Sequence, residues 1–248
     1  MKNNFQNVSE KVLVVSSLTK TYFVKSGVFQ VGLQRKTIIR NLSFELSAGT
    51  NLGILGPSGV GKSTLAKIIC RIEDFDSGEV IVDNRDIKEY SRKEFASKVQ
   101  LLFQNPYSML NPKLTIGFLL KERFKQYFYL QNKPYDENIF RDSIEELLKL
   151  SKLSTEILKM YPYQLSGGQR QRVATITVLC LYPKILILDE PLSALDISLQ
   201  AQMLNFFYEI KEKFNLTYIF ITHDRDLAEY FCDKILYLHE DGEYEIFE

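Results

Sequence analysis

Short, almost continuous apolar runs recur along the chain, and segments with helical periodicity separate them. The runs span residues 52–55, 99–103, 185–188 and 218–221. Strands that are buried on both faces have this pattern, because helices cover both faces of a parallel sheet. The clearest helical segment places six apolar residues three or four positions apart: Leu199, Met203, Phe206, Phe207, Ile210 and Phe214. The alternation of strands and helices predicts an α/β fold.

Residues 105–163 depart from this alternation. They show helical spacing, as in Ile144, Leu147 and Leu148, but contain no run that resembles a buried strand. We therefore predict a single domain, 1–248. Residues 1–104 and 164–248 would form the sheet-containing core, and residues 105–163 an inserted helical subdomain.

A glycine-rich loop follows the first predicted strand. The sequence GPSGVGKST after NLGIL fits the pattern G-x-x-x-x-G-K-S/T at Gly56, Gly61, Lys62 and Ser63. Such a loop directs backbone N–H groups at phosphate oxygens, and the helix that follows presents its positive end. Lys62 would reach the β- and γ-phosphates, and the Ser63 hydroxyl would bind Mg²⁺. The loop residues predicted to bind nucleotide are Gly56, Pro57, Ser58, Gly59, Val60, Gly61, Lys62, Ser63 and Thr64.

Two carboxylates, Asp189 and Glu190, follow the apolar run at residues 185–188. Open α/β sheets bind ligands at the carboxyl ends of their strands. Asp189 is suited to holding Mg²⁺, and Glu190 to orienting and deprotonating the attacking water. Taken alone, an acidic pair at a strand end is often a solvated turn, so the phosphate loop upstream is what favours the catalytic interpretation.

Gln104 and His223 end two further apolar runs. Each alone is weak evidence, since a polar residue after a strand is commonly part of a turn. If the strands are parallel, however, both lie at the same sheet edge as Gly56 and Asp189. Gln104 could then contact Mg²⁺ and the water, and His223 could hydrogen-bond the γ-phosphate.

A second small-residue turn, LSGGQ at residues 165–169, opens a predicted helix. Ser166, Gly167, Gly168 and Gln169 could form another anion site, and as structure alone they could be a helix cap. A single ATP has no obvious use for both loops, which suggests a nucleotide shared between two chains.

Bulk properties narrow the function classes. The 31 Lys plus Arg residues balance 31 Asp plus Glu residues, so there is no net basic charge to favour nucleic-acid binding. Three widely spaced cysteines form no C-x-x-C pair and are expected to be small buried hydrophobes. The longest nearly uncharged run, residues 173–183, is far shorter than the roughly 18 residues of a membrane-spanning helix. The amino terminus does not resemble a secretory signal, so we expect a cytoplasmic protein.

The order of these segments resembles the ATP-binding cassettes of ABC-type ATPases. LSGGQ is similar to the signature of that family, and SALD at residues 193–196 follows the acidic pair. The resemblance implies a P-loop NTPase core with an amino-terminal antiparallel β part. It also implies that two cassettes sandwich two ATP molecules, with Ser166 of one chain facing the γ-phosphate held by the other. Tyr22 would stack on adenine, and Asp196 would couple the two sites.

The resemblance further implies partners: a second cassette subunit, two transmembrane permease subunits and, indirectly, an extracytoplasmic binding protein. The chain would lie at the cytoplasmic face of the membrane. FQNPYSMLNPKLTIG, SALDISLQAQ and the region between Tyr22 and Asn41 resemble importers of oligopeptides, dipeptides and nickel. The short chain resembles the nickel- and metallophore-importing members, and this branch often pairs two different cassettes. The expected substrate is therefore nickel, a metal chelate or short peptides.

One position departs from the family pattern. Thr177 stands where these ATPases usually carry an arginine, and the missing charge predicts a modest turnover. Two alternatives remain. A non-transport ABC ATPase would usually need a coiled-coil insertion or two cassettes in one chain. A catalytically weak partner in an asymmetric heterodimer is disfavoured by Glu190, His223 and Ser166.

Overall fold

The structure, a computed structural model, describes residues 10–25, 33–105, 108–193 and 195–247. The predictions for the amino terminus at 1–9, for part of the region between Tyr22 and Asn41, and for residues 106, 107 and 194 lie outside the described residues.

The elements alternate largely as the apolar pattern predicts. The strands are β1 (Lys11–Lys25), β2 (Leu33–Ser47), β3 (Asn51–Leu55), β4 (Ser77–Val82), β5 (Arg85–Asp86), β6 (Val99–Leu102), β7 (Ile185–Asp189), β8 (Thr217–Ile221), β9 (Lys234–Leu238) and β10 (Tyr244–Phe247). The helices are α1 (Lys62–Ile69), α2 (Arg92–Phe95), α3 (Ile116–Leu130), α4 (Glu137–Leu150), α5 (Gly167–Leu179), α6 (Ile197–Phe214) and α7 (Arg225–Phe231). The four apolar runs become β3, β6, β7 and β8, and the amphipathic pattern becomes α6.

One sheet positions the predicted site. Its strand order is β10-β9-β3-β8-β7-β6. The pairs β9/β3, β3/β8, β8/β7 and β7/β6 are parallel, and β10 is antiparallel to β9. The carboxyl ends of β3, β6, β7 and β8 therefore meet at one edge, which confirms the parallel core of the predicted α/β fold.

Alternation along β7 explains why its sequence is apolar at every position. Ile185 and Ile187 pack into a core shared with α1 and the amino-terminal sheet. Leu186 and Leu188 pack into the opposite core, which is built with α3, α5 and α6. Since successive strand residues point to opposite faces, a strand between two cores needs apolar residues on both.

The amino-terminal part is an antiparallel sheet with strand order β2-β1-β4-β5, as predicted. Its apolar face, which includes Leu13, Leu42 and Val80, packs into the same core as Ile54 of β3. This packing places β1 and β2 beside the glycine-rich loop that follows β3.

Helices α3 and α4 occupy the predicted inserted region, followed by 3₁₀ turns at Thr155–Lys159 and Pro162–Gln164. Phe124 is fully buried and contacts the rings of Tyr127, Phe128, Phe140 and Tyr182. This aromatic cluster secures α3 against α4 and the end of α5.

Among the described residues, none of the helices is long and apolar enough to cross a bilayer. Of the three cysteines, Cys180 is buried as expected, whereas Cys70 and Cys232 are partly exposed. Burial raises the pKa of all three thiols, which favours their protonated form.

Candidate functional site

The glycine loop runs directly from buried β3 into α1. Gly56 and Gly61 have φ angles of 145° and 123°, which side chains other than glycine rarely adopt. A Cβ atom at Gly61 would lie 2.4 Å from Ile38 Cγ2, and one at Gly56 would lie 2.5 Å from the Leu238 carbonyl oxygen. Gly61 is also the N-cap of α1, and it has no side chain to offer the first N–H groups of that helix. Those donors are thus left for a ligand.

Lys62 curls back over the loop. Its side chain is only 6% exposed, and its Nζ donates to the carbonyl oxygens of Gly56 at 2.7 Å and Pro57 at 2.9 Å. Burial lowers the pKa of this ammonium, while the charges of Glu190 and Asp189 oppose the decrease. A phosphate group in the loop would supply the negative charge that two neutral carbonyls do not.

Asp189 lies opposite the start of α1. Its Oδ1 accepts a hydrogen bond from Ser63 Oγ at 3.2 Å. Burial raises the pKa of the Asp189 carboxyl; the Ser63 hydrogen bond lowers it, and the neighbouring Glu190 charge raises it further. Two carboxylates and a hydroxyl thus face the loop across a narrow gap, an arrangement that a cation would stabilise.

Glu190 is held in an uncommon backbone conformation. Its φ of 46° is left-handed, which costs a residue with a side chain about 1–3 kcal/mol. Its N–H donates to Ile221 O at 3.0 Å, and Ser193 Oγ donates to its carbonyl oxygen at 3.1 Å. These contacts hold the backbone of Glu190 in this conformation, and Glu190 lines the cavity in front of the loop.

The two other polar strand ends meet this carboxylate. Gln104 Nε2 donates to Glu190 Oε2 at 2.9 Å. His223 Nδ1 lies 3.7 Å from Glu190 Oε1, and the His223 side chain is 65% exposed. The structure therefore brings Gln104, Glu190 and His223 into one group, beside the Ser63–Asp189 pair.

A cavity of about 580 Å³ opens in front of the loop. It is lined by Ser58, Gly59, Gly61, Lys62, Ser63, Thr64, Gln104, Glu190, Tyr22, Phe23, Lys36 and Ile38. Sequence analysis did not predict Phe23, Lys36 and Ile38 as lining residues. They lie on β1 and β2, and only the pairing of these strands, with Tyr22 opposite Lys36, brings them to the loop. No local sequence signal marks them.

Tyr22, the predicted adenine contact, is anchored at the cavity wall. Its hydroxyl donates to Glu73 and lies 3.5 Å from Thr64 Oγ1. Burial raises the pKa of the Tyr22 hydroxyl, and the hydrogen bond to Glu73 raises it further by a smaller amount. The neighbouring Phe23 is 68% exposed, so an aromatic face is open to a ligand on this wall.

The second loop lies apart from the cavity. Ser166 is the N-cap of α5 and accepts from Gln169 N at 3.3 Å, while Gln169 Oε1 accepts from Ser166 N at 3.0 Å. Asp196 caps α6 by accepting from Leu199 N at 2.9 Å. None of Ser166, Gly167, Gly168, Gln169 and Asp196 is among the described residues that line the cavity. Within one chain, Ser166 and Asp196 thus act as helix caps and do not line the cavity in front of the glycine loop.

Thr177 is buried in α5, and its hydroxyl donates to Val173 O at 2.9 Å. Among the described residues, none of the buried side-chain atoms that lack a hydrogen bond belongs to a carboxylate. The absence of an arginine at Thr177 therefore leaves no buried acid unpaired in the described part of the chain.

Comparison with known proteins agrees with this geometry. The sequence profile described as "ABC transporter" matches residues 39–193. The di/tripeptide transport ATP-binding protein DppF of Pseudomonas aeruginosa is 37% identical over 233 residues, which are 93% of this chain and 70% of that protein. The oligopeptide transport ATP-binding protein AppF of Bacillus subtilis is 36% identical over 230 residues, which are 91% of this chain and 68% of that protein.

Solved structures give the same fold. The dimeric ATP-binding cassette MJ0796, bound to ADP and Pi, matches with a TM-score of 0.76 and 29% identity, covering 94% of this chain and 97% of that one. CbiO1 from Clostridium perfringens, part of the transporter complex cbiONQ, matches with a TM-score of 0.76 and 26% identity, covering 95% and 87%.

Proposed function

Because this chain belongs to the ABC transporter family, whose ATP-binding subunits are ATPases coupled to transport, we propose that it drives the import of short peptides through membrane permease subunits. The observation that carries the proposal is the single sheet edge at which the loop, Asp189, Glu190 and Gln104 meet. The two peptide-transport relatives that match more than 90% of the chain support the substrate class.

The loop and Lys62 would bind the β- and γ-phosphates of ATP. The first N–H groups of α1 and the partly desolvated Lys62 ammonium are positive groups fixed before the ligand arrives, so little reorganisation opposes binding. The open ring of Phe23 and the anchored ring of Tyr22 would receive the base.

The donor set fits Mg²⁺, which prefers hard oxygen ligands and keeps several waters. Ser63, Asp189 and Gln104 offer hydroxyl, carboxylate and amide oxygens beside the loop. Burial raises the pKa of Asp189, so a cation held there would stabilise its charged form. When bound, the ion would neutralise charge on the phosphates.

Glu190 is the proposed general base. Its carboxylate would accept a proton from the attacking water, and the Gln104 N–H would fix the carboxylate in position. His223 is exposed enough to donate to the γ-phosphate from the other side. Phosphoryl transfer leaves little covalent work to the protein, so positioning and charge stabilisation account for most of the catalysis.

A second cassette would complete the site. Ser166 already caps α5, yet its hydroxyl proton remains free to donate. A Cβ atom at Gly167 would meet nothing within 4 Å, so packing within this chain does not require a glycine there. Close approach of a group from outside the chain would explain it, and ATP held by a partner cassette is that group. In the same dimer, Asp196 would couple the two sites.

Replacement of Gly167 by alanine separates its effect on the stability of this chain from its proposed role in the ATP site shared with a partner cassette. We expect Gly167→Ala to stabilise the isolated chain by about 0.5–1 kcal/mol, since alanine favours helix over glycine. ATPase activity of the assembled transporter should nevertheless fall about tenfold or more, because the methyl group displaces the partner's γ-phosphate. Thermal unfolding and ATPase assays measure the two effects. Unchanged activity would contradict the shared site. Ser154→Ala, at the N-cap of the 3₁₀ turn Thr155–Lys159, is the control for purely structural effects.

The permease subunits would dock beside Gln104. Phe103, its neighbour, lines a separate groove on the other side of the same turn, so occupancy of the groove and of the ATP cavity can affect one segment. We propose boundaries of 105 and 163 for the helical subdomain that would transmit the movement. The second cassette is proposed to be a different chain, and the subunit to sit peripherally on the membrane's cytoplasmic face.

Uptake measurements test the substrate class. In a strain that lacks this chain, we expect loss of labelled di- and tripeptide uptake, restored by the wild-type chain and not by Glu190→Gln. Radioactive nickel, offered with and without a chelator, is the parallel substrate. Loss of nickel uptake with intact peptide uptake would overturn the peptide assignment in favour of metal or metal-chelate import.

A further inference from the structure

A groove of about 710 Å³ lies on the side of the Gln104 segment away from the ATP cavity. Its apolar wall includes Ile72, which is 57% exposed, and Phe103, which is 37% exposed. Exposed apolar residues of this size in a concave surface are typical of a site for a protein segment.

The groove is basic as well as apolar. Four cations contribute to its lining from separate segments of the chain: Arg71 after α1, Lys88 in the 3₁₀ turn Ile87–Glu89, Arg92 on α2 and Arg123 on α3. Within the residues that the structure describes, no salt bridge to a carboxylate neutralises any of the four. Two acidic residues also line the groove: Glu73 is already engaged by Lys20 and by the Tyr22 hydroxyl, and Asp74 forms no salt bridge with any of the four cations in the described part of the chain.

Arg92 is exposed, whereas Arg123 is partly buried and differs from Arg71 and Lys88 in its contacts. Arg71 donates to Tyr90 O at 2.6 Å and lies over the Phe95 ring, and Lys88 lies over the Phe75 ring. Arg123 is on α3, and its polar contact is to the neutral amide oxygen of Gln126 at 2.9 Å. Burial lowers the pKa of its guanidinium. A half-buried charge without a counter-charge is unfavourable, and a carboxylate brought into the groove would relieve it.

We propose that Arg123 selects the docking segment of the permease by binding a carboxylate on it, so that the segment is amphipathic, with apolar residues against Ile72 and Phe103 and an acidic residue against α3. This rests on the proposed transport function, which supplies the membrane partner. A planar guanidinium binds a carboxylate through two parallel hydrogen bonds, so the site would favour an acidic side chain over an amide of equal size.

The test uses the full chain and two short synthetic amphipathic helical peptides that differ only in a central glutamate or glutamine. Fluorescence anisotropy measures their binding to wild type, to Arg123→Gln and to Lys125→Gln. Lys125 is a matched control on the same helix, where it pairs with Glu122 on the surface. Circular dichroism confirms that each variant is folded.

We expect wild type to bind the glutamate peptide about tenfold more tightly than the glutamine peptide. The preference should persist at raised ionic strength, because a buried pair is little screened. Arg123→Gln should lose it and Lys125→Gln should keep it. Equal binding of both peptides by wild type overturns the inference without any variant, and so does a preference that survives in Arg123→Gln.

Two further measurements test a different anion and the ATP site itself. Vesicles of phosphatidylglycerol, with phosphatidylcholine vesicles as the reference, test a lipid headgroup as the anion; binding to them that depends on Arg123, without peptide preference, overturns the proposal. ATP binding by the wild-type chain is measured in the same samples. Its loss would refute the proposed function, whereas intact ATP binding with no peptide preference refutes only the role of Arg123.

Discussion

ATP turnover in a transporter that carries Glu190→Gln is expected to fall by about 10²–10⁴-fold, the usual contribution of a general base, while ATP binding persists. Glutamine keeps the length of the side chain and an oxygen that can accept from Gln104 Nε2. It cannot take the proton of the attacking water. Glutamine also removes a negative charge that raises the pKa of Asp189. The affinity of the loop and Asp189 for ATP with Mg²⁺ should therefore not decrease.

Steady-state phosphate release measures turnover, and equilibrium binding of a fluorescent ATP analogue measures affinity. Glu212→Gln, at an exposed position of α6, is the control for loss of one negative charge. Turnover near that of wild type in Glu190→Gln would exclude Glu190 as the base. A complete loss caused by the change in this subunit alone would exclude a catalytically silent partner in an asymmetric heterodimer.

Lys62→Ala is expected to weaken ATP binding about 100-fold, or by about 3 kcal/mol, and to remove measurable hydrolysis. Truncating one member of a buried, hydrogen-bonded charge pair typically costs 2–5 kcal/mol. The ammonium is nearly inaccessible and rests on two carbonyl oxygens at the loop, so a phosphate would meet it with little solvent between them.

Isothermal titration with ATP measures the affinity, and thermal unfolding with and without ATP reports whether bound nucleotide still stabilises the chain. Lys133→Ala, in an exposed turn after α3, controls for the lost charge. The assigned role of Lys62 is wrong if the variant retains wild-type affinity for ATP.

The edge that carries the candidate site was predictable because its signals are local. Each polar residue directly follows an apolar run, and a parallel sheet necessarily carries such residues to one edge. For this reason Gln104 can donate a hydrogen bond to Glu190, and Ser63 can donate one to Asp189. The helix-cap role of Ser166 was predictable from equally local signals. The serine accepts from the backbone N–H of the third helical residue, Gln169, and the Gln169 side chain accepts from the backbone N–H of the serine.

Other features were invisible in the sequence. Phe23 and Lys36 reach the ATP cavity only through the pairing of β1 with β2 and the packing of that sheet beside the loop. The basic groove joins residues from four separate segments of the chain, and the lack of a counter-charge at Arg123 depends on what α3 packs against. The partial exposure of Cys70 and Cys232 likewise follows from packing.

The sequence by itself determined the α/β fold, the phosphate loop and the identity of the polar strand ends, because hydrophobic periodicity and glycine spacing act over a few neighbouring residues. The tertiary structure alone decided the left-handed conformation of Glu190, the walls of the ATP cavity and the unneutralised charge in the groove. These depend on contacts between segments far apart in the chain, and burial and charge pairing exist only once those segments have packed together.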